Sequence, residues 1–170
     1  GDINAKTVKK QIRKYFGDWD KVELIELSAP ELPANVSSAE IDFVDMPNAV
    51  QSNISVTNNV NLKQSDSDYF AALMANNILG GGGEGYLFKN LREDKGYTYG
   101  AYSSLRASRY GVSRFNASAK VRNEVTDSAV VEFMKEIKRI RTEKVTDEAL
   151  NNVKAGYVGR FVMQVEKPQT

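Results

Sequence analysis

The chain has 170 residues, enough for one sizeable core, and its 23 Lys and Arg nearly balance its 22 Asp and Glu, leaving a net charge of +1. That balance offers no electrostatic basis for nucleic acid or an anionic membrane as a partner, and no apolar run reaches the length of a membrane span. With no histidine and no cysteine, the sequence excludes disulfides, a His- or Cys-built zinc site, and Ser-His-Asp or Cys-His catalysis.

Residues 4–16 carry a helical pattern. Asn4 can cap it, Val8, Ile12, Tyr15 and Phe16 recur at helical spacing, and Gly17-Asp18-Trp19 ends it. Residues 28–40 hold two prolines among small polar residues and read as a linker. Ile41, Phe43 and Val44 then suggest a short strand over about 41–46, and Pro47-Asn48 a turn. A second strand, about 50–58, alternates Val50, Ile54 and Val56 with Gln51, Asn53 and Ser55. Ser65-Asp66-Ser67-Asp68 supplies a cap and acidic first turn for a helix whose stripe is Phe70, Leu73, Met74 and Ile78.

A second helix is expected over about Glu84 to Asp94, followed by strands near 97–107 and 112–121 joined by a turn at Arg109-Tyr110-Gly111. An amphipathic helix runs through Val130, Phe133, Met134, Ile137 and Ile140, and a last one starts at Thr146. The order β-β-α-α-β-β-α-α predicts an α+β fold: a mostly antiparallel sheet with helices on one face. Lys135, Lys138, Arg139 and Arg141 read as a solvated helix face, and Arg106, Arg109 and Arg114 as separate surface charges.

The densest signal lies between Leu79 and Gly100. Gly80-x-Gly82-x-x-Gly85 formally matches a dinucleotide fingerprint, but it follows a helix stripe rather than a strand. The spacing also fits the start of a P-loop, yet Tyr86-Leu87 stands where Lys-Ser/Thr is required. The glycines are expected instead to end one helix in left-handed geometry and to let the next begin without Cβ clashes. Four in a row, Gly80 to Gly83, exceed what a cap needs and suggest a backbone approached closely by something else.

Leu79-Gly80-Gly81-Gly82, Leu87-Phe88 and Leu91-Arg92-Glu93-Asp94-Lys95-Gly96-Tyr97-Thr98-Tyr99 together resemble the second homologous domain of the pitrilysin/insulinase family of zinc peptidases, which includes mitochondrial processing peptidase. Pro47-Asn48-Ala49-Val50-Gln51-Ser52, Asp68-Tyr69-Phe70 and Val145-Thr146-Asp147-Glu148-Ala149-Leu150 agree in order, and Gly1-Asp2-Ile3 with Tyr15-Phe16-Gly17-Asp18-Trp19 resembles the end of a preceding domain. The resemblance implies residues 1–27 as that domain's tail, 28–40 as linker, and 41–170 as a non-zinc, peptidase-like domain truncated at its C-terminus. On this reading the chain is a piece of a longer protein, so the missing signal sequence carries no address. The resemblance leans toward a bacterial protein exported to the periplasm.

The resemblance further implies that this domain carries no metal. Zinc would sit in a homologous domain bearing His-x-x-Glu-His, in cis or in a partner subunit, and the two would enclose a peptide substrate. Arg92 and Tyr99 are the implied auxiliary catalytic residues, reaching the substrate backbone at that other domain's zinc. Gly81, Gly82 and Gly83 are the implied substrate-binding stretch. Glu84-Gly85-Tyr86 departs from the Ser-Ser-Arg common in relatives, which leaves the roles of Glu84 and Tyr86 open. Read from the residues alone, the favoured reading pairs Arg92 with Glu93 or another surface acid and makes Tyr99 half-buried sheet filling. An alternative function stands beside the first: a non-catalytic structural or interaction domain of a peptidase-like core subunit.

Overall fold

The computed structural model describes residues 2–23, 25, 31–32, 37–108 and 112–166. By contacts the chain forms two units, residues 1–28 with 160–170, and residues 29–159.

In the smaller unit, helix α1 (Ala5–Phe16) begins where expected. The Asn4 side-chain oxygen accepts from the Lys6 and Thr7 amides at 3.1 and 3.2 Å, satisfying donors that a helix start leaves orphaned. Phe16 and Trp19 meet edge-to-face at 5.0 Å between ring centres.

The larger unit is built on a three-stranded antiparallel sheet, β1 (Ser52–Val60), β2 (Thr98–Arg106) and β3 (Ser113–Val121), in the order β1-β3-β2. The register pairs Ile54 with Ala119 and Val56 with Ala117 on β1 and β3, and Ala101 with Ala119 on β2 and β3. Pairing in this register puts one row of side chains on one face. That row is Ile54, Val56, Ala101, Ser103, Ala117, Ala119 and Val121, and the helices cover it.

Helices α2 (Tyr69–Gly80) and α3 (Tyr86–Phe88) pack on β2, and α4 (Thr126–Thr142) packs on β1 and β3. Phe133, Leu87, Leu91 and Val121 are the largest fully buried side chains. The alanines beneath them let helix and sheet approach closely. The opposite sheet face, with Asn53, Ser55, Thr57, Arg114 and Lys120, is polar and largely solvated. Helix α5 (Asp147–Val165) starts one residue after Thr146, whose hydroxyl accepts from the Ala149 amide at 3.2 Å.

The α+β class and the helix-covered antiparallel sheet are as the sequence predicts. The strand expected over 41–46 is absent: those residues have no regular structure, and Ile41, Phe43 and Val44 are 90, 86 and 81% exposed. Alternation alone does not make a strand when no neighbouring ladder accepts its backbone. The turn beyond it does form, with Asn48 at φ 65°. The turn at Arg109-Tyr110-Gly111 and most of the 28–40 linker lie outside the described residues.

Candidate functional site

The end of α2 is fixed by backbone contact. A Cβ on Gly80 would fall 2.6 Å from the Ser103 nitrogen and 2.9 Å from Leu87 Cδ1. One on Gly85 would fall 2.8 Å from the Gly80 Cα. Both positions are buried, and glycine is needed there for lack of volume. Left-handed geometry is not the reason: Gly81, which caps α2, has φ −77°. Among the described residues positive φ falls only at Asn48 and Gly96. The close approach inferred from the sequence is therefore intramolecular at Gly80 and Gly85.

The helix expected over 84–94 is three residues of α3 followed by a π-helix, Lys89–Asp94. Its wider turn bonds the Lys95 amide to the Asn90 carbonyl at 3.1 Å. Gly96, at φ 63°, then turns the chain into β2. At the start of β2 the register slips. Thr98 faces Val121 and Ala101 faces Ala119, so Tyr99 and Gly100 together oppose Lys120. This is a β-bulge. The Thr98 hydroxyl fastens it, accepting from the Gly100 amide at 3.1 Å and donating to the Lys120 carbonyl at 2.7 Å. Strict alternation would put Tyr99 in the buried row with Ala101 and Ser103. The bulge turns it outward, and Tyr99 is 88% exposed.

Arg92 meets Tyr99 there. Its guanidinium donates to the Tyr99 carbonyl and lies 5.3 Å from the Phe88 ring centre and 5.9 Å from that of Tyr99. Arg92 makes no ion pair with any described residue, and the Tyr99 hydroxyl has no hydrogen-bond partner among them. Both side chains line an open hollow of about 550 Å³ at the end of the sheet, with Gln51, Glu93, Lys120 and Arg122. Neither the surface ion pair nor the half-buried filling open to these residues describes them.

Gly81, Gly82 and Gly83 do not line that hollow. A Cβ on Gly81 would press on Asn77, so that glycine is locally required. Nothing lies within 4 Å of a Cβ on Gly82, and on Gly83 only the Phe88 ring edge at 3.9 Å. Gly83 therefore joins the site only through Phe88, on which Arg92 rests. The departing residues have neighbours of their own. Glu84 pairs with Lys89 at 2.8 Å, which lowers its pKa through the hydrogen bond and the charge of Lys89. Tyr86 lies 4.0 Å under the Arg139 guanidinium.

Arg139 is accordingly more than a solvated helix charge, since it also reaches Glu136 at 3.4 Å and Glu143 at 3.5 Å. Beneath the π-helix the buried Asn90 amide donates to Glu132 at 2.8 Å and to Glu136 at 2.6 Å, tying it to α4. That hydrogen bond is the main cause holding the Glu132 carboxyl below its usual range, against the opposing effect of burial. Sequence reasoning missed this network and missed Lys120 and Arg122 at the hollow. The i, i+4 spacing of Glu132 and Glu136 was a visible signal, but their partner lies 42 residues away from Glu132. A separate apolar groove of about 850 Å³ lies among Phe70, Met74, Ile78, Ile140, Leu150 and Tyr157.

No group of His, Cys, Asp or Glu among the described residues is arranged to hold a metal ion, and none of their helices is long and apolar enough to cross a membrane. Comparison with curated proteins finds no match. Among solved structures the chain is similar to the peptidase M16 inactive domain from Pseudomonas fluorescens, with TM-score 0.61, 24% identity, and coverage of 65% of this chain and 27% of that one. A protease from Helicobacter pylori gives TM-score 0.80 at 17% identity, over 99% of this chain and 41% of that one. The periplasmic protease PqqL from Escherichia coli gives 0.74 at 14% identity, over 99% of this chain and 18% of that one. This chain thus spans less than half the length of each. These likenesses establish the fold. The family described as peptidase M16 inactive domain matches residues 1–157, and with the glycine turn, the Leu87-Phe88 helix and the Arg92-to-Tyr99 segment folded as above, the chain belongs to that family.

Proposed function

We propose that this domain is the non-catalytic half of a zinc metalloendopeptidase. It helps enclose a peptide between itself and a homologous zinc-bearing domain, in cis or in a partner subunit, and lends Arg92 and Tyr99 to the reaction there. The residues present do not fit zinc in this domain, since they offer neither histidine nor cysteine. The metal's chemistry belongs wholly to the partner. The observation that carries the reading is a guanidinium and a phenol held side by side on one open hollow, the first without an ion pair and the second without a hydrogen-bond partner among the described residues.

When a nucleophile adds to a peptide carbonyl, negative charge grows on its oxygen, and fixed donors aimed at that oxygen act chiefly in the transition state. Arg92 supplies the N–H groups of a planar guanidinium, and Tyr99 supplies an O–H. The Phe88 ring and the Tyr99 carbonyl hold the guanidinium in place. Gly82 and Gly83, with no side chains and open surroundings, would offer bare backbone to the same peptide.

The test is kinetic, on the full natural polypeptide together with any partner subunit. Arg92→Ala or Tyr99→Phe should lower kcat more than it raises KM, by about 3 kcal/mol or roughly a hundredfold in rate. Unchanged kcat in both variants would leave the alternative, a scaffold domain of a peptidase-like core subunit.

A further inference from the structure

We infer that the hollow beside Arg92 is a subsite for an acidic side chain of the bound peptide, with Lys120 as the residue that reads it; this rests on the peptide-enclosing role proposed above. Of the charged residues lining the hollow, Arg92, Lys120 and Arg122 are cationic and only Glu93 is anionic. Glu93 also lies close enough to Lys89 to favour that residue's charge. Arg122 is tethered, donating to the Gly96 carbonyl at 3.2 Å and standing 4.0 Å from Glu124. Lys120 has no ion-pair partner among the described residues.

The contrast with the α3–α4 side of the domain is plain, where Lys89, Lys95, Lys135 and Arg139 each meet a carboxylate. At the hollow the positive charge is left over. A cleft with an excess of one sign of charge favours the opposite sign in whatever enters.

Tyr99 and Gly100 bulge directly opposite Lys120, and Lys120 lines the same hollow as Arg92 and Tyr99, so it lies beside the place proposed for the peptide carbonyl. A lysine ammonium on a flexible stem is a movable point charge and suits a single carboxylate of either Asp or Glu length. A basic side chain would meet like charge at the same place.

The experiment measures binding of fluorescent, N-acetylated, C-amidated peptides that differ only in one central Glu, Gln or Lys, by anisotropy, to the full natural polypeptide. At low salt the Glu peptide should bind about fivefold more tightly than the Gln peptide, the Lys peptide should bind more weakly than either, and the preference should shrink as salt rises. Lys120→Gln, alone or with Arg122→Gln, should bring the Glu/Gln ratio close to one, whereas Lys120→Arg should keep it. Three results would overturn the inference: equal binding of Glu and Gln peptides, a preference that survives the double variant, or no binding by any peptide. A Glu preference alongside unchanged kcat in both Arg92→Ala and Tyr99→Phe would sink the catalytic reading and leave the subsite. A normal Arg92 defect without the preference would do the reverse.

Discussion

Two neighbouring stretches end up differently, and the more apolar one is the one left exposed. Residues 41–50 carry Ile41, Phe43, Val44, Met46 and Val50, every one of them more than three-quarters exposed. Residues 52–60 carry fewer large apolar side chains, yet they form β1 and bury Ile54 to 8% exposure. The difference is the partner. β1 pairs along its whole length with β3, from Ser52 opposite Val121 to Val60 opposite Ser113, and α4 lies over its inner row. Residues 41–50 have no ladder among the described residues. Apolar area lowers free energy only where the backbone beneath it also finds its hydrogen bonds.

The sharpest way to break this comparison is to truncate one aromatic in each region. Phe133→Ala, at a fully buried position against the sheet, should cost about 3–5 kcal/mol. Phe43→Ala should stay within about 0.5 kcal/mol. Denaturant midpoints at constant slope measure both, and comparable losses would show that the 41–50 stretch is packed in solution.

A smaller effect separates two glycines two residues apart. Gly80→Ala drives a methyl group into the Ser103 backbone and Leu87 and should cost about 1–3 kcal/mol. Gly82→Ala meets nothing within 4 Å and should be neutral to slightly stabilising. If thermal melts found Gly82→Ala the more damaging, the close approach would be at the wrong glycine.

The smallest expected effect is a pH dependence within the packed region. Glu132 is lowered from 4.5 chiefly by the Asn90 amide, then by Lys135 and Lys95, with burial acting against them. A carboxyl lowered on folding adds its stability in full above its unfolded value and loses it as pH falls through the folded one. The stability gap between the native protein and Glu132→Gln should therefore be flat near neutrality and close below about pH 4.5. A gap independent of pH would remove the charge from that account.

What the sequence reveals follows the same division. Periodic segments with partners were legible: β2, β3, α2 and α4 fall close to their expected bounds. Val130 and Met134, on the expected α4 stripe, are nonetheless exposed, because only the side turned to the sheet is covered. Arg92 and Tyr99 were legible as a motif. Their surroundings were not, since Lys120 and Arg122 reach the hollow only through the pairing of β3 with β2. No local pattern marks the extra residue in β2 or the π-turn in the helix before it. The glycines were legible as a close approach and as room for the next helix without Cβ clashes, and both hold at Gly80 and Gly85; the left-handed geometry expected beside them does not, because φ and free volume leave the same mark on a sequence.

The bulge makes residue number, alongside residue type, a sensitive quantity at this site. From Thr98 to Ala101 the chain takes three steps while β3, from Val121 to Ala119, takes two. Deleting Gly100 would restore the match, leaving Tyr99 alone opposite Lys120, and would remove the amide from which the Thr98 hydroxyl accepts, so the bulge and its fastening would go together. Single-residue deletions in this stretch would act on the register of β2 against β3, a quantity that no substitution there changes.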